Sequence, residues 1–406
     1  MNFWKKLIPQ VLPPVGAIEG GSPKVNCHLH TPHSFSAFCC VEEAVEQAAA
    51  EDVKVVGVND FFTFDAYDAW SYQTIKNKLF PLFNVEFIGL DAEKKDKGLR
   101  VNDPANPGRT YLSGKALAYP VVLPKSDLAK IAHIKEQNNA QVKEMMEKVN
   151  DLLAKEGLGL SLNFDEIKST YAKEQVRERH LARAIRELAV RSFSSEKEQL
   201  GFFKKLFGGQ DLKSTITDEA AVENEIRSKL LKAGGSAFVE EDPSVFLDTT
   251  AIHDIIIKAG GIPTYPFLAD DANGNYTDFE GDLPKAIADL KKRGYYSVEF
   301  IPTRNNHDKM KEYVMALVKE GFVVTFGTEH NAPGKQPIEV FAGGKTPLDD
   351  DLMKINYEGA CILAAHQYLF ATKGEGILNK KGAYKQNKQS EFAELGHRLI
   401  QYVIKF

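Results

Sequence analysis

Val25-Asn26-Cys27-His28-Leu29-His30-Thr31 alternates apolar and polar side chains from Val25 to His30. A strand sends successive side chains to opposite faces, so Val25, Cys27 and Leu29 share one face and His28 and His30 the other. Two imidazoles side by side at a strand end suit a divalent metal ion. Two hydrogen-bonded histidines on a loop are the plainer alternative. Further apolar runs read as buried strands at 53–60, 83–90, 117–123, 261–267, 295–302 and 322–330. Amphipathic helical spacing fills 41–52, 251–259, 283–293 and 307–320, and Gly260-Gly261 and Gly321 stand where helix stops are expected. Strands alternating with helices predict parallel β/α units. Polar residues gather at the C-terminal ends of these strands: His28, His30, Asn59, Asp60, Glu86, Tyr265, Glu329 and His330, with Arg304 just beyond one. The predicted fold is an α/β, distorted (β/α)7 TIM-like barrel, whose strand ends bring such residues together at one face.

Residues 126–243 break the alternation. They are rich in Lys, Glu, Ala and Leu at helical spacing, with almost no strand signal. They read as a helical insertion dividing a barrel made of 25–125 and 244–346. Residues 347–406 read as a helical C-terminal tail. Residues 1–24, with Pro9, Pro13 and Pro14 interrupting a short apolar stretch, read as an extended N-terminal arm rather than a signal peptide. The 406 residues carry a formal net charge of −5 and no basic stripe, so nothing indicates a nucleic-acid partner. No run is long and apolar enough to span a membrane. The four cysteines, Cys27, Cys39, Cys40 and Cys361, include an adjacent pair and form no disulfide framework. A reducing, cytoplasmic setting is the expectation. The oligomeric state is left open.

Seven segments, in chain order, resemble the motifs of the PHP (polymerase and histidinol phosphatase) family. His28-Leu29-His30-Thr31-Pro32-His33-Ser34 is similar to its opening motif. Asn59-Asp60-Phe61 lies where the family usually has Thr-Asp-His, and Asn84-Val85-Glu86 resembles the motif whose Glu bridges metals. Arg179-His180-Leu181-Ala182-Arg183-Ala184 is similar to a helical segment of members that act on small phosphoesters. Gly260-Gly261-Ile262-Pro263-Thr264-Tyr265-Pro266, the strand at 295–302 and Phe326-Gly327-Thr328-Glu329-His330-Asn331 resemble the remaining three. The resemblance implies a barrel of metal-dependent phosphoesterase type. His28, His30, Glu86 and Glu329 would hold a metal, and His180 and Tyr265 would contact substrate. Arg304, just past a strand end, reads as a phosphate clamp or a surface arginine, and His330 or Asp60 as the acid or base.

The departures bear on metal number. Ser36, Phe61, Tyr265 and Asn331 stand where family members place ligands, and the stretch 115–119 lacks the usual histidine. Of the three metals typical of the family, the surviving residues supply one set of ligands. The expectation is therefore one divalent ion per chain, with Zn, Mn and Fe equally suited to two imidazoles and two carboxylates. The function this implies is hydrolysis of a small anionic phosphoester. The alternatives are a ligand-binding or regulatory protein that has lost catalysis, or an amidohydrolase or isomerase on the same site, since fold does not fix reaction.

Overall fold

A computed structural model describes residues 3–14, 21–267, 276–334 and 336–405. The strands are β1 (Lys24–Leu29), β2 (Val53–Phe61), β3 (Phe80–Leu90), β4 (Arg109–Lys115), the short β5 (Leu247–Asp248), β6 (Ile262–Pro266), β7 (Ser297–Phe300) and β8 (Val323–Phe326). They pair in the order β1-β2-β3-β4-β6-β7-β8, with β5 beside the end of β3. β1 and β8 meet at a single parallel bridge, Leu29 to Glu329. There His30 N–H donates to the Glu329 carbonyl and Glu329 N–H to the His28 carbonyl, both at 2.9 Å. The result is a nearly closed, seven-stranded barrel flanked by helices, as the alternation predicts.

Below that bridge the seam is stitched by a side chain. The helix Asp350–Lys373 carries Asn356, whose Oδ1 accepts from Phe326 N–H of β8 at 2.8 Å and whose Nδ2 donates to the Val25 carbonyl of β1 at 3.0 Å. One buried amide thus satisfies a backbone donor and acceptor that the incomplete ladder would leave unpaired.

The fourth strand departs from expectation. Residues 117–123 form no strand; β4 lies earlier and runs antiparallel to both β3 and β6. The link from β3 to β4 holds only a five-residue helix, Ala92–Asp96, about 7 Å long at 1.5 Å per residue. No crossover helix of greater length intervenes, and β4 returns directly beside β3 as its antiparallel neighbour. A further helix, Tyr67–Lys76, stands between β2 and β3 and keeps the strand–helix alternation.

Between residues 126 and 243 the structure is helical, with Lys125–Lys155, Phe164–Tyr171, Glu178–Ser192, Glu196–Leu206 and Glu219–Ile226 packed round their own apolar cluster, which includes Val149, Leu181, Ile185, Phe203 and Ile226. The tail is formed by Asp350–Lys373 and Gln389–Lys405. The expected extended arm contains instead a short helix, Phe3–Leu7, because Trp4 is buried against the Phe80 ring, 5.5 Å away. Among the described residues no helix is long and apolar enough to cross a membrane.

Candidate metal centre

β1 and β3 flank β2 and direct three side chains at one point. His28 Nε2 and His30 Nε2 are 3.3 Å apart, and each lies 3.4 Å from Glu86 Oε2. All three residues are buried. Glu86 Oε2 is buried and makes no well-aligned hydrogen bond, and both imidazoles lie within ion-pair reach of it. The triangle has the size an ion needs: a tetrahedral centre with bonds of about 2.0–2.1 Å sets its ligand atoms about 3.3–3.4 Å apart. Two imidazoles and one carboxylate with a fourth position open to a cleft match a catalytic rather than a closed structural site. Asn59 Nδ2 sits 3.0 Å from His28 Nε2, the one contact with which an ion would compete. Gly327 is required beside this cluster, since a Cβ there would lie 2.2 Å from His28 Cβ.

Each histidine is oriented from behind. His28 Nδ1 lies 3.1 Å from Glu299 Oε2, so its proton is on Nδ1 and Nε2 is left free for a ligand. Glu299 in turn contacts Lys115 Nζ at 2.6 Å through Oε2 and accepts from Ser113 at 2.5 Å through Oε1. His30 Nδ1 meets Ser34 Oγ at 3.3 Å, and Ser34 donates to Asp60 at 2.6 Å, so the imidazole is the donor in the first of these contacts. Burial would push the Glu299 carboxyl up, but Lys115 and His28 outweigh it and hold the group well below the usual carboxylate range. Burial would lower His28, but Glu299 and Glu86 raise it to about 9. A bound ion would take the place of the second proton, on Nε2, and leave the Nδ1 proton bonded to Glu299.

The triad opens into a cleft of about 260 Å³. Its acidic lining comes mainly from the barrel: Glu86, Asp103, Glu299 and Glu329. Its basic lining comes mainly from the helical insertion, as Arg177, Arg179, Arg227 and Lys232, joined by Arg304 from beyond β7. Arg227 Nη2 pairs with Glu178 at 2.7 Å, while its buried Nε has no partner. Arg177 and Arg179 rest against the rings of Phe61 and Phe35, at 5.8 and 5.3 Å. Neither makes an ion pair with a carboxylate among the described residues. Burial and the neighbouring Arg227 push Arg179 down to about 10, still charged at neutral pH.

The residues singled out in the sequence have different fates. His28, His30 and Glu86 come together. Glu329 stands outside that triad, on the cleft wall, where Arg304 meets its Oε2 at 2.5 Å and Asn331 at 3.0 Å. Its backbone and that of His330 are left-handed, with φ of 64° and 54°, a costly turn that the seam holds in place. His180 does not line the cleft. Its Nδ1 accepts from Arg177 N–H at 3.0 Å and caps the helix Glu178–Ser192. Tyr265 also lies off the cleft, donating to Glu280 at 2.7 Å. His330 has both ring nitrogens engaged, by Thr328 at 2.7 Å and the Gln336 carbonyl at 2.9 Å, and stacks on Phe38. Asp60 spends its oxygens on Thr31 and Ser34, behind His30.

Lys115, Glu299, Arg177 and Arg179 were not singled out as site residues. Glu299 had a signal, an acid within the apolar run 295–302. Lys115 had none, since it falls before the strand expected at 117–123. The arginines flank His180, and only helix geometry decides which of the neighbours faces the cleft.

The chain has the barrel fold of known hydrolase structures. It is similar to an amidohydrolase from Chromobacterium violaceum, solved with sulfate and no metal, at 14% identity and a TM-score of 0.53, covering 82% of this chain and 96% of that one. It is equally similar to a protein of Bifidobacterium adolescentis provisionally named a metal-dependent phosphoesterase, at 14% identity and a TM-score of 0.53, covering 82% and 95%. No family model and no curated protein matches the sequence.

Proposed function

We propose that the chain is a metal-dependent hydrolase of small phosphoesters, with one divalent ion, Zn, Mn or Fe, on His28, His30 and Glu86. The observation that carries the reading is the pairing of a buried carboxylate oxygen between two imidazoles with two unmatched arginines on the same cleft. The two structural neighbours, one named an amidohydrolase and one a phosphoesterase, support a hydrolase on this fold. When bound, the ion supplies a Lewis acid and a water of lowered pKa. The protein does the rest. Glu299 and Ser34 hold the imidazoles so that both Nε2 atoms face Glu86. Arg177, Arg179 and Arg304 present planar guanidinium donors to an anionic group, which such forks grip in pairs. Glu329 is the carboxylate that lines the cleft and takes or returns a proton; His330 and Asp60, expected in that role, lie off the cleft lining.

The test is phosphate release from a panel of small phosphomonoesters by protein loaded with Mn, Zn or Fe, against chelated protein. Metal-dependent release is expected. Cleavage of amides without phosphoesters would transfer the site to amidohydrolase chemistry. Stoichiometric metal with no turnover would leave a binding protein.

A further inference from the structure

Lys115 has no exposed surface, and its Nζ is surrounded by oxygen: Glu299 Oε2 at 2.6 Å, the Cys27 carbonyl at 3.1 Å and Asn59 Oδ1 at 3.2 Å. A carboxylate, a backbone carbonyl and an amide oxygen are the donors a hard cation takes. An ammonium withdrawn from water is costly unless it is paired and hydrogen-bonded, and these contacts satisfy it. The Glu299 oxygen that meets Nζ is the one that lies 3.1 Å from His28 Nδ1. Ammonium, carboxylate and imidazole therefore form a line that ends on the Nε2 facing His30 and Glu86.

We propose that the Lys115 ammonium is a built-in second cation, which fills an oxygen-lined position behind the triad, holds Glu299 as the anion that orients His28, and so commits the centre to a single metal ion. The inference rests on the metal-centre reading above. Lys115 is a positioning residue: it acts through Glu299 and not on the ion or substrate. Glu299 is likewise spent on His28, Lys115 and Ser113, and is not free to ligate.

The test measures metal stoichiometry by elemental analysis, and affinity by competition with a chelator, for wild type, Lys115→Met, Glu299→Gln and the double variant. Wild type should bind one equivalent. Each single variant should bind about 10–100-fold more weakly, the usual cost of losing a partner behind a ligand. The double variant should bind no more weakly than Glu299→Gln alone, since both changes cut the same line. Lys115→Ala should regain affinity with propylammonium, which restores the charge, and not with propan-1-ol, which restores only the volume. Wild-type affinity in folded Lys115→Met, additive losses in the double variant, or equal rescue by the alcohol would each overturn the proposal. If the single variants do not fold, the double variant, with no unpaired buried charge, decides: weakened binding supports the proposal and wild-type affinity overturns it. Two equivalents in wild type would refute the single-ion commitment and leave the metal centre standing. No metal in wild type would refute the metal centre itself.

Discussion

The floor of the cleft and the stretch of wall around Arg177 and Arg179 treat charge in opposite ways. On the floor Glu299 is matched by Lys115, His28 by Glu299, and Asp60 by Thr31 and Ser34. What is left over points inward, as two Nε2 atoms and one carboxylate oxygen within reach of a single ion. On the wall Arg177 and Arg179 lie against aromatic rings with no carboxylate in ion-pair reach among the described residues. A matched network fixes geometry in advance and suits a resident ion. An unmatched cation keeps its attraction for something that comes and goes. Under the proposed function, the ion would belong to the barrel strands and the anion to the helical insertion.

The comparison breaks most sharply at Glu86. Glu86→Gln keeps the shape and removes the anionic ligand. Metal binding should fall by more than the roughly 10–100-fold that loss of an outer partner costs, and elemental analysis should find less than one equivalent retained. Arg179→Ala should do the reverse. One equivalent of metal should remain while kcat/KM for an anionic substrate falls about 10–100-fold, as expected for a charge-assisted hydrogen bond of about 1.5–3 kcal/mol. A variant of Arg179 that loses metal would erase the division of labour.

A smaller effect separates His180 from the site. Burial pushes its pKa down from the usual 6.5 to about 4. The unfolded chain therefore binds a proton more readily than the folded one between those values. His180 opposes folding progressively as pH falls from 6.5 towards 4, and the stability is fully present above that window. His180→Gln should flatten the stability slope there, by on the order of 3 kcal/mol over the window, in denaturant titrations at several pH values. Metal affinity should not move. The smallest effect is Tyr265→Phe, which removes the hydroxyl bound to Glu280. It should cost about 1.5–3 kcal/mol of stability, the worth of a hydrogen bond to a charged group, with kcat/KM unchanged.

The floor was the more legible region. His28 and His30 declare themselves by alternation within one strand, and Glu86 is an acid inside an apolar strand two places over, so period-two reasoning suffices. Glu329 stands at a strand end. Its left-handed backbone and its grip on Arg304 set it apart from the triad, and neither feature leaves a mark in the sequence. Lys115 was hidden by direction. Polar residues at the ends of parallel strands mark the site, but β4 is antiparallel, and its last residue enters the barrel from the other side. The wall was least legible. Arg177, Arg179 and His180 are neighbours on one charged helix, and which of them caps that helix is decided by tertiary packing.

The Asn356 stitch ties the making of the chain to the finishing of its fold. His28, His30 and Glu86 lie in the first three barrel strands, the wall arginines follow, and the residue that bridges β8 to β1 comes after both. On a chain emerging from its N-terminus, the ion's ligands are made long before the barrel around them can shut. Until the helix Asp350–Lys373 arrives, the outer edge of β1 is an unpaired strand edge, open to a wrong partner as well as to β8. Closure joins residues some three hundred positions apart and belongs among the slow, long-range steps of folding.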